Sequence, residues 1–276
     1  MIFTTLVLRM RALLLGCFSL FCCAILMGQE IVAHRGASFD APENTLSAFR
    51  LAWQQQADAV EGDFYLTADG EIVCIHDKDT ERTAPGQEVR VVSESTLAEL
   101  KRLDVGSWKG KQFEGERIPT IQEVLKEIPQ GKKILIEIKC GSEIVPKLKQ
   151  HLSESGLLDE QVLIICFQAD VIRAVRESMP QYKTNWLTSY RKNKDTNNWE
   201  PNLETVLFQL GQCGATGLGT QGRREVVDRE FFQQVTKAGF EAHVWTVNEP
   251  KDAEYYSSLE FDSITTDRPA LIRQSL

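Results

Sequence analysis

Short β-branched runs alternate with amphipathic stretches along nearly the whole chain, a pattern that fits neither an all-helical nor an all-strand domain. "IVAHRG" (31–36) reads as a strand, and "ENTLSAFRLAWQQQA" after it sets Leu46, Phe49, Ala52 and Trp53 on one helical face. "KKILIEIKC", "QVLIICF", "YKTNWLT", "GATGLG" and "EAHVWTVN" read as later strands, each followed by a helix-like stretch. "DSITTDRPALIRQ" closes the alternation, with Asp267 expected to cap a helix that has Pro269 in its first turn. One step breaks the rhythm. "DAVEGDFYLT" and "EIVCIHD" are separated only by "ADG", too short for a helical crossover, and this predicts an antiparallel hairpin. Residues 78–118 are polar and irregular and read as an insertion, in which "GSWKG" (106–110) is a candidate lid. "IPTIQEVL" then opens a helix, with Thr120 as cap and Glu123 completing a capping box.

So many alternations in a chain of 276 residues predict a TIM-type (β/α) barrel with a small insertion after the third strand. A doubly wound open sheet is the alternative, and the lack of a glycine-rich nucleotide loop after the first strand favours the barrel. Ahead of this pattern, Arg9 and Arg11 precede "ALLLGCFSLFCCAILMG", and no acidic residue occurs before Glu30. The apolar run is shorter than the ~20 residues of a comfortable membrane span. Residues 1–28 therefore read as a signal peptide of an exported protein, with residues 30–276 as one domain; an N-terminal anchor that stays attached is the alternative. Cys17, Cys22 and Cys23 fall in that leader. Cys74, Cys140, Cys166 and Cys213 match no zinc spacing and are expected to be buried free thiols. A net charge of −8 argues against nucleic acid and anionic membranes as partners. It suits a small-molecule substrate met in one locally basic pocket.

Barrel enzymes act at the C-terminal ends of their strands, and the unusual polar residues fall there. His34 and Arg35 end the first strand, and His76 and Asp77 end the third run. Glu61 and Asp63 lie at i and i+2 on the second strand, as do Glu137 and Lys139 on "ILIEIK", so each pair shares a face. Carboxylates inside apolar strands are costly unless compensated. Arg35 and Lys139 supply part of the charge, and an oxygen-preferring divalent cation, Ca²⁺ or Mg²⁺, would supply the rest. The hairpin would bring His76 opposite Asp63 or one residue from it. Two histidines beside carboxylates, a metal and basic groups suggest acid–base work on a phosphoryl group.

"HRG", "PENT", "EGDFYLTADGEIVCIHD", "IPTIQEVL", "ILIEIK", "VWTVN" and "ITTDRP", in this order over residues 31–270, resemble the glycerophosphodiester phosphodiesterases of the phospholipase-C-like barrel group. The resemblance implies one divalent cation on Glu61, Asp63 and Glu137, and His34 and His76 as the acid–base pair. It implies Arg35 and Lys139 on the phosphate, Trp245 beside the glycerol carbons, and Glu43 in support. The implied reaction releases glycerol phosphate and an alcohol. A different diester on the same barrel, such as a lysophospholipid, and a non-catalytic diester-binding protein are the competing readings. His243, two residues before Trp245, is expected as packing or polar lining, and His151 as solvated surface. Trp53, Trp108, Trp186 and Trp199 are expected as core or loop aromatics.

Overall fold

A computed structural model of the chain describes residues 29–276; the leader read as a signal peptide, with its three cysteines, lies outside them. In chain order the elements are β1 (Glu30–Ala33), α1 (Leu46–Gln54), β2 (Ala59–Leu66), β3 (Ile72–Cys74), α2 (Leu97–Leu100), α3 (Ile121–Lys126), β4 (Lys133–Ile138), α4 (Val145–Glu154), β5 (Val162–Cys166) and α5 (Ala169–Ser178). They continue with β6 (Lys183–Thr188), β7 (Arg191–Lys192), β8 (Trp199–Glu200), α6 (Leu203–Cys213), β9 (Gly217–Gln221), α7 (Arg229–Lys237), β10 (Glu241–Trp245), α8 (Pro250–Ser258), β11 (Ser263–Thr266) and α9 (Pro269–Ser275).

Eight strands run parallel in the order β1-β11-β10-β9-β6-β5-β4-β2, and β2 pairs back to β1, which closes a (β/α) barrel. Closure leaves no parallel edge exposed, and β3 adds to β2 antiparallel, with Phe64 opposite Cys74. The short "ADG" turn enforces that hairpin: Thr67 and Glu71 close it through the Glu71 carbonyl, and Gly70 takes φ +78°. A second, two-stranded hairpin, β7–β8, stands between β6 and α6, where a direct strand-to-helix step was expected.

Strand alternation sorts the core into two layers. Outward residues such as Val60, Phe64, Ile134 and Ile136 pack with Phe49, Val124, Leu148 and Ile172 of the surrounding helices. Inward, Val32, Ala59, Leu135, Leu163, Ile165 and Leu187 fill the barrel, with Trp245 packed against them. The insertion carries its own small core, in which Val92, Leu100, Leu103, Val105 and Ile118 pack on Val73 and Ile75. Thr120 and Glu123 form the capping box that starts α3, and Thr45 caps α1.

Two expectations are corrected. His151 is buried, because it lies on the inner stripe of α4 with Leu148 and Leu152, and Gln122 Nε2 meets its Nδ1 at 3.1 Å. Asp267 does not cap α9: Arg268 occupies the N-cap position and Pro269 follows, because the Asp267 carboxylate is engaged across the β1–β11 seam. Cys74, Cys166 and Cys213 are buried free thiols, and Cys140 is free and half-buried.

The turn after β1 brings backbone close against a helix. Gly36 sits at φ +79°, and a Cβ there would lie 2.6 Å from the carbonyl carbon of Ala48 in α1. Gly36→Ala is expected to lower unfolding free energy by at least about 2 kcal/mol in urea titration, since the left-handed backbone and the clash both oppose it. An unchanged midpoint would show that α1 moves aside at no cost.

Candidate active site

At the end of β1, the His34 imidazole holds Asp267 through Nδ1 at 2.6 Å, and a carboxylate can only accept, so Nδ1 carries the proton. Asp267 in turn accepts from Ser38 Oγ at 3.0 Å and from Asn248 Nδ2 at 2.6 Å. These bonds hold its carboxyl down at about 2, against the opposing effect of burial. Burial by itself lowers the His34 pKa, but the Asp267 bond and the Glu61 charge outweigh it and leave the net shift upward. His34 Nε2 is thus the nitrogen left for chemistry.

Arg35 adopts φ +56°. That left-handed turn aims its backbone N–H at Glu61 Oε2, 2.9 Å away. Its guanidinium donates from Nη1 to Glu43 at 3.0 Å, and Nε lies 3.2 Å from Asp63 Oδ2 as an ion pair without an aligned hydrogen bond. Asn44, also left-handed at φ +57°, clasps Asp63 twice: Nδ2 donates to Oδ2 at 2.8 Å, and the Asp63 N–H donates to Asn44 Oδ1 at 3.1 Å.

Glu61, Asp63 and Glu137 are all buried, and one oxygen of each lies within 4.8 Å of the others. Lys139 Nζ donates to Glu137 at 2.7 Å and stands 3.3 Å from Asp63. Three carboxylates therefore share two cations. Asp63 is stabilised as the anion despite burial, because Lys139 and Arg35 flank it. Glu61 carries the excess: burial, then the Asp63 charge, push its pKa up to about 8. Glu137 is raised for the same two reasons. Glu61 Oε1 and Asp63 Oδ1 are buried without a hydrogen-bond partner in the protein. Unpaired inward oxygens with surplus acid are the donor set a hard divalent cation requires.

His76 leaves β3 one residue past the Asp63–Ile75 pairing, so the hairpin delivers it beside the carboxylates. Its Nδ1 meets Asp77 Oδ1 at 2.6 Å, which repeats the arrangement at His34 and again leaves Nε2 free. Burial lowers the His76 pKa, and the Asp63 charge only partly offsets it. Arg82, from the insertion, grips Glu43 with both Nη atoms at 2.7 Å and Asp77 with Nε at 2.7 Å. Glu43 is thereby the shared anchor of Arg35 and Arg82, and both effects hold its carboxyl below its usual range against burial. "GSWKG" ties down rather than hangs free: Lys109 Nζ donates to the Ser38 carbonyl at 2.7 Å.

A cavity of about 180 Å³ opens at this end of the barrel, lined by His34, Arg35, Glu61, His76, Glu137 and Lys139 among others. Trp245 forms an apolar wall with Phe167, their rings edge-on at 5.5 Å, and His243 lines the same cavity deeper in. Every residue singled out in the sequence as a site residue borders this cavity, except Asp63 and Glu43, which hold its lining from behind. Sequence reasoning gave no site role to Asn44, Asp77 or Arg82, and gave Asp267 only that of a helix cap. Asp77 and Asp267 sit inside the quoted blocks, next to a histidine or to "RP", so adjacency was a usable signal; nothing in the sequence marks Arg82.

The profile of the Glycerophosphoryl diester phosphodiesterase family matches residues 34–271. This chain belongs to that family. It is 32% identical over 243 residues to the glycerophosphodiester phosphodiesterase of Caldanaerobacter subterraneus, covering 87% of this chain and 94% of the relative. Among solved structures, it is similar to an Oleispira antarctica phosphodiesterase in complex with the product sn-glycerol-3-phosphate, with a TM-score of 0.78 and 27% identity over 89% of this chain and 96% of that one. It is also similar to the glycerophosphodiester phosphodiesterase of Thermotoga maritima, with a TM-score of 0.70 and 25% identity over 89% and 97%.

The surplus of acid has a measurable signature. Glu61 titrates higher folded than unfolded, so in cation-free protein its contribution to stability is full below the unfolded value of 4.5 and is lost as pH rises toward about 8. Glu61→Gln is expected to raise the melting temperature of chelated protein more at pH 8 than at pH 5. Equal melting shifts at both pH values would contradict a buried carboxyl held off its usual range. For the insertion, Arg82→Ala is expected to reduce kcat about tenfold to a hundredfold with little change in melting temperature, since it frees Asp77 and Glu43 at once. Wild-type kcat in that variant would show that Arg82 is merely surface charge.

Proposed function

We propose that this protein hydrolyses glycerophosphodiesters to glycerol phosphate and a free alcohol, with a divalent cation and two histidines as its chemical equipment. One observation carries the reading: two imidazoles, each with Nδ1 bound to its own carboxylate, flank a buried cluster of three further carboxylates at the barrel mouth. Family membership and the product bound in the Oleispira relative support the choice of diester.

Glu61, Asp63 and Glu137 would hold the cation, which would supply positive charge against the phosphoryl oxygens and make a neighbouring hydroxyl easier to deprotonate. Arg35 and Lys139 line the same cavity and add fixed positive charge for the phosphate. One histidine takes the proton from the attacking hydroxyl or water as its oxygen bonds to phosphorus. The other protonates the alcohol oxygen as its bond to phosphorus breaks, so both charges are balanced within the site. Asp267 and Asp77 keep each Nε2 turned to this task by fixing the proton on Nδ1. Glu43 acts through Arg35, not on the substrate.

The full chain, stripped with chelator, should release glycerol phosphate from glycerophosphocholine only when Ca²⁺ or Mg²⁺ is restored. His34→Ala and His76→Ala should each cut kcat by about 10²–10⁴. Full turnover in chelator would remove the cation from the mechanism, and full turnover in either variant would remove that histidine. We also propose export, on the strength of the leader at residues 1–28. Recovery of the protein in the cytosol with that leader intact would overturn it.

A further inference from the structure

The reaction cavity is too small to enclose a whole diester. Its volume of about 180 Å³ is room for about six waters at ~30 Å³ each, so one half of the substrate must lie outside it. His76 and Lys139 line this cavity and also border a second, open groove of about 570 Å³, so the two hollows meet at those side chains. The other walls of the groove are Tyr65, Asp77, Lys78, Asp79, Glu81 and Arg82.

Tyr65 is the aromatic wall. It lies at i+4 from Glu61 and i+2 from Asp63, so it continues their face of β2 beyond the carboxylates. Across the hairpin it pairs with Val73, and it packs on the small core of the insertion, which fixes the ring and leaves it half-buried at the groove. The reaction as proposed above makes no use of it. The charges around it divide unevenly. Lys139 is engaged by Glu137 and Asp63, and Arg82 by Glu43 and Asp77. Among the described residues lining the groove, that leaves Lys78 as the cation without an ion pair, against two carboxylates without one, Asp79 and Glu81. Asp79 Oδ1 accepts only the Glu81 N–H, at 3.2 Å. An aromatic face beside free carboxylates attracts an ammonium group, through the ring quadrupole and by charge, over a neutral or anionic one.

We propose that Tyr65 determines which alcohol this enzyme releases. The groove receives the leaving half of the diester, and an alcohol that carries an ammonium group, of the choline or ethanolamine type, packs its cationic end on the Tyr65 ring beside Asp79 and Glu81. This assignment rests on the diester reading of the site and adds a leaving-group preference to it. The closed cavity then holds the half that every substrate shares, and the open groove holds the half that varies.

Steady-state kinetics of the full chain with added Ca²⁺ or Mg²⁺ compares glycerophosphocholine, glycerophosphoethanolamine and glycerophosphoglycerol, which share a glycerophosphate half and differ in the alcohol. The wild type should show kcat/KM about threefold or more higher for the ammonium substrates than for glycerophosphoglycerol, through KM. Tyr65→Leu should bring that ratio close to one by raising KM for the ammonium substrates, and Tyr65→Phe, which keeps the ring, should retain it. The double variant Asp79→Asn/Glu81→Gln should lower the ratio as well, most at low salt. A wild-type ratio of one or below, or a ratio unchanged by Tyr65→Leu, would overturn the assignment. If Tyr65→Leu does not fold, the double variant decides. Turnover of all three diesters without preference would leave the proposed reaction standing and remove the groove. Turnover of none would refute the reaction, and calorimetric titration with phosphocholine then decides the groove: binding weakened several-fold by Tyr65→Leu keeps it as an ammonium site, and binding indifferent to Tyr65 removes it too.

Discussion

Three carboxylates confined to a barrel interior with two cations set the terms for everything around them. Glu61, Asp63 and Glu137 cannot all be comfortable as anions there, and Glu61 shows it by holding its proton to about 8. Of the three, Asp63 is compensated by Lys139 and Arg35, so the surplus falls on Glu61, where a neutral residue would relieve it. Their retention in a buried, partly unpaired state costs stability, and that cost is the physical argument for a bound cation. The surrounding structure serves to keep the cluster rigid: Asn44 clasps Asp63 from behind, the Arg35 N–H fixes Glu61, and Lys139 spans Asp63 and Glu137.

Rigidity at this point depends on unusual backbone. Arg35, Gly36 and Asn44 all take positive φ in one short loop after β1. That loop turns the Arg35 N–H inward, brings Gly36 against α1 and lets the Asn44 amide reach Asp63. Such conformations cost energy where side chains are bulky, and they persist here because hydrogen bonds on both sides determine them. The insertion is part of the same framework. Through Arg82 it binds Glu43 and Asp77, and so braces one cation and one histidine that come from different strands. A segment that contributes no residue to the lining of the reaction cavity thereby braces two residues that do.

Much of this was legible in the chain. The alternation of strand and helix patterns predicted the barrel, and "ADG" between two strand runs predicted the β2–β3 hairpin, since three residues cannot cross a sheet. Charged residues at i and i+2 in apolar strands marked Glu61, Asp63, Glu137 and Lys139, because strand alternation puts such pairs on one face. His151 misled for the opposite reason: its neighbours in sequence are polar, and its burial comes from helical spacing to Leu148 and Leu152. Asp267 read as a helix cap because capping is decided locally, whereas its real partner, His34, lies 233 residues away.

The sequence by itself determined which residues can lie inside the barrel and which chemical groups stand at its strand ends, since both follow from a two-residue period and from residue type. Tertiary structure alone decided who pairs with whom. Asp267 meets His34 because β11 lies beside β1, and Arg82 meets Glu43 because the insertion folds back on the barrel mouth. These are contacts between segments distant along the chain, set by barrel closure and side-chain packing, and no local pattern of residues encodes them.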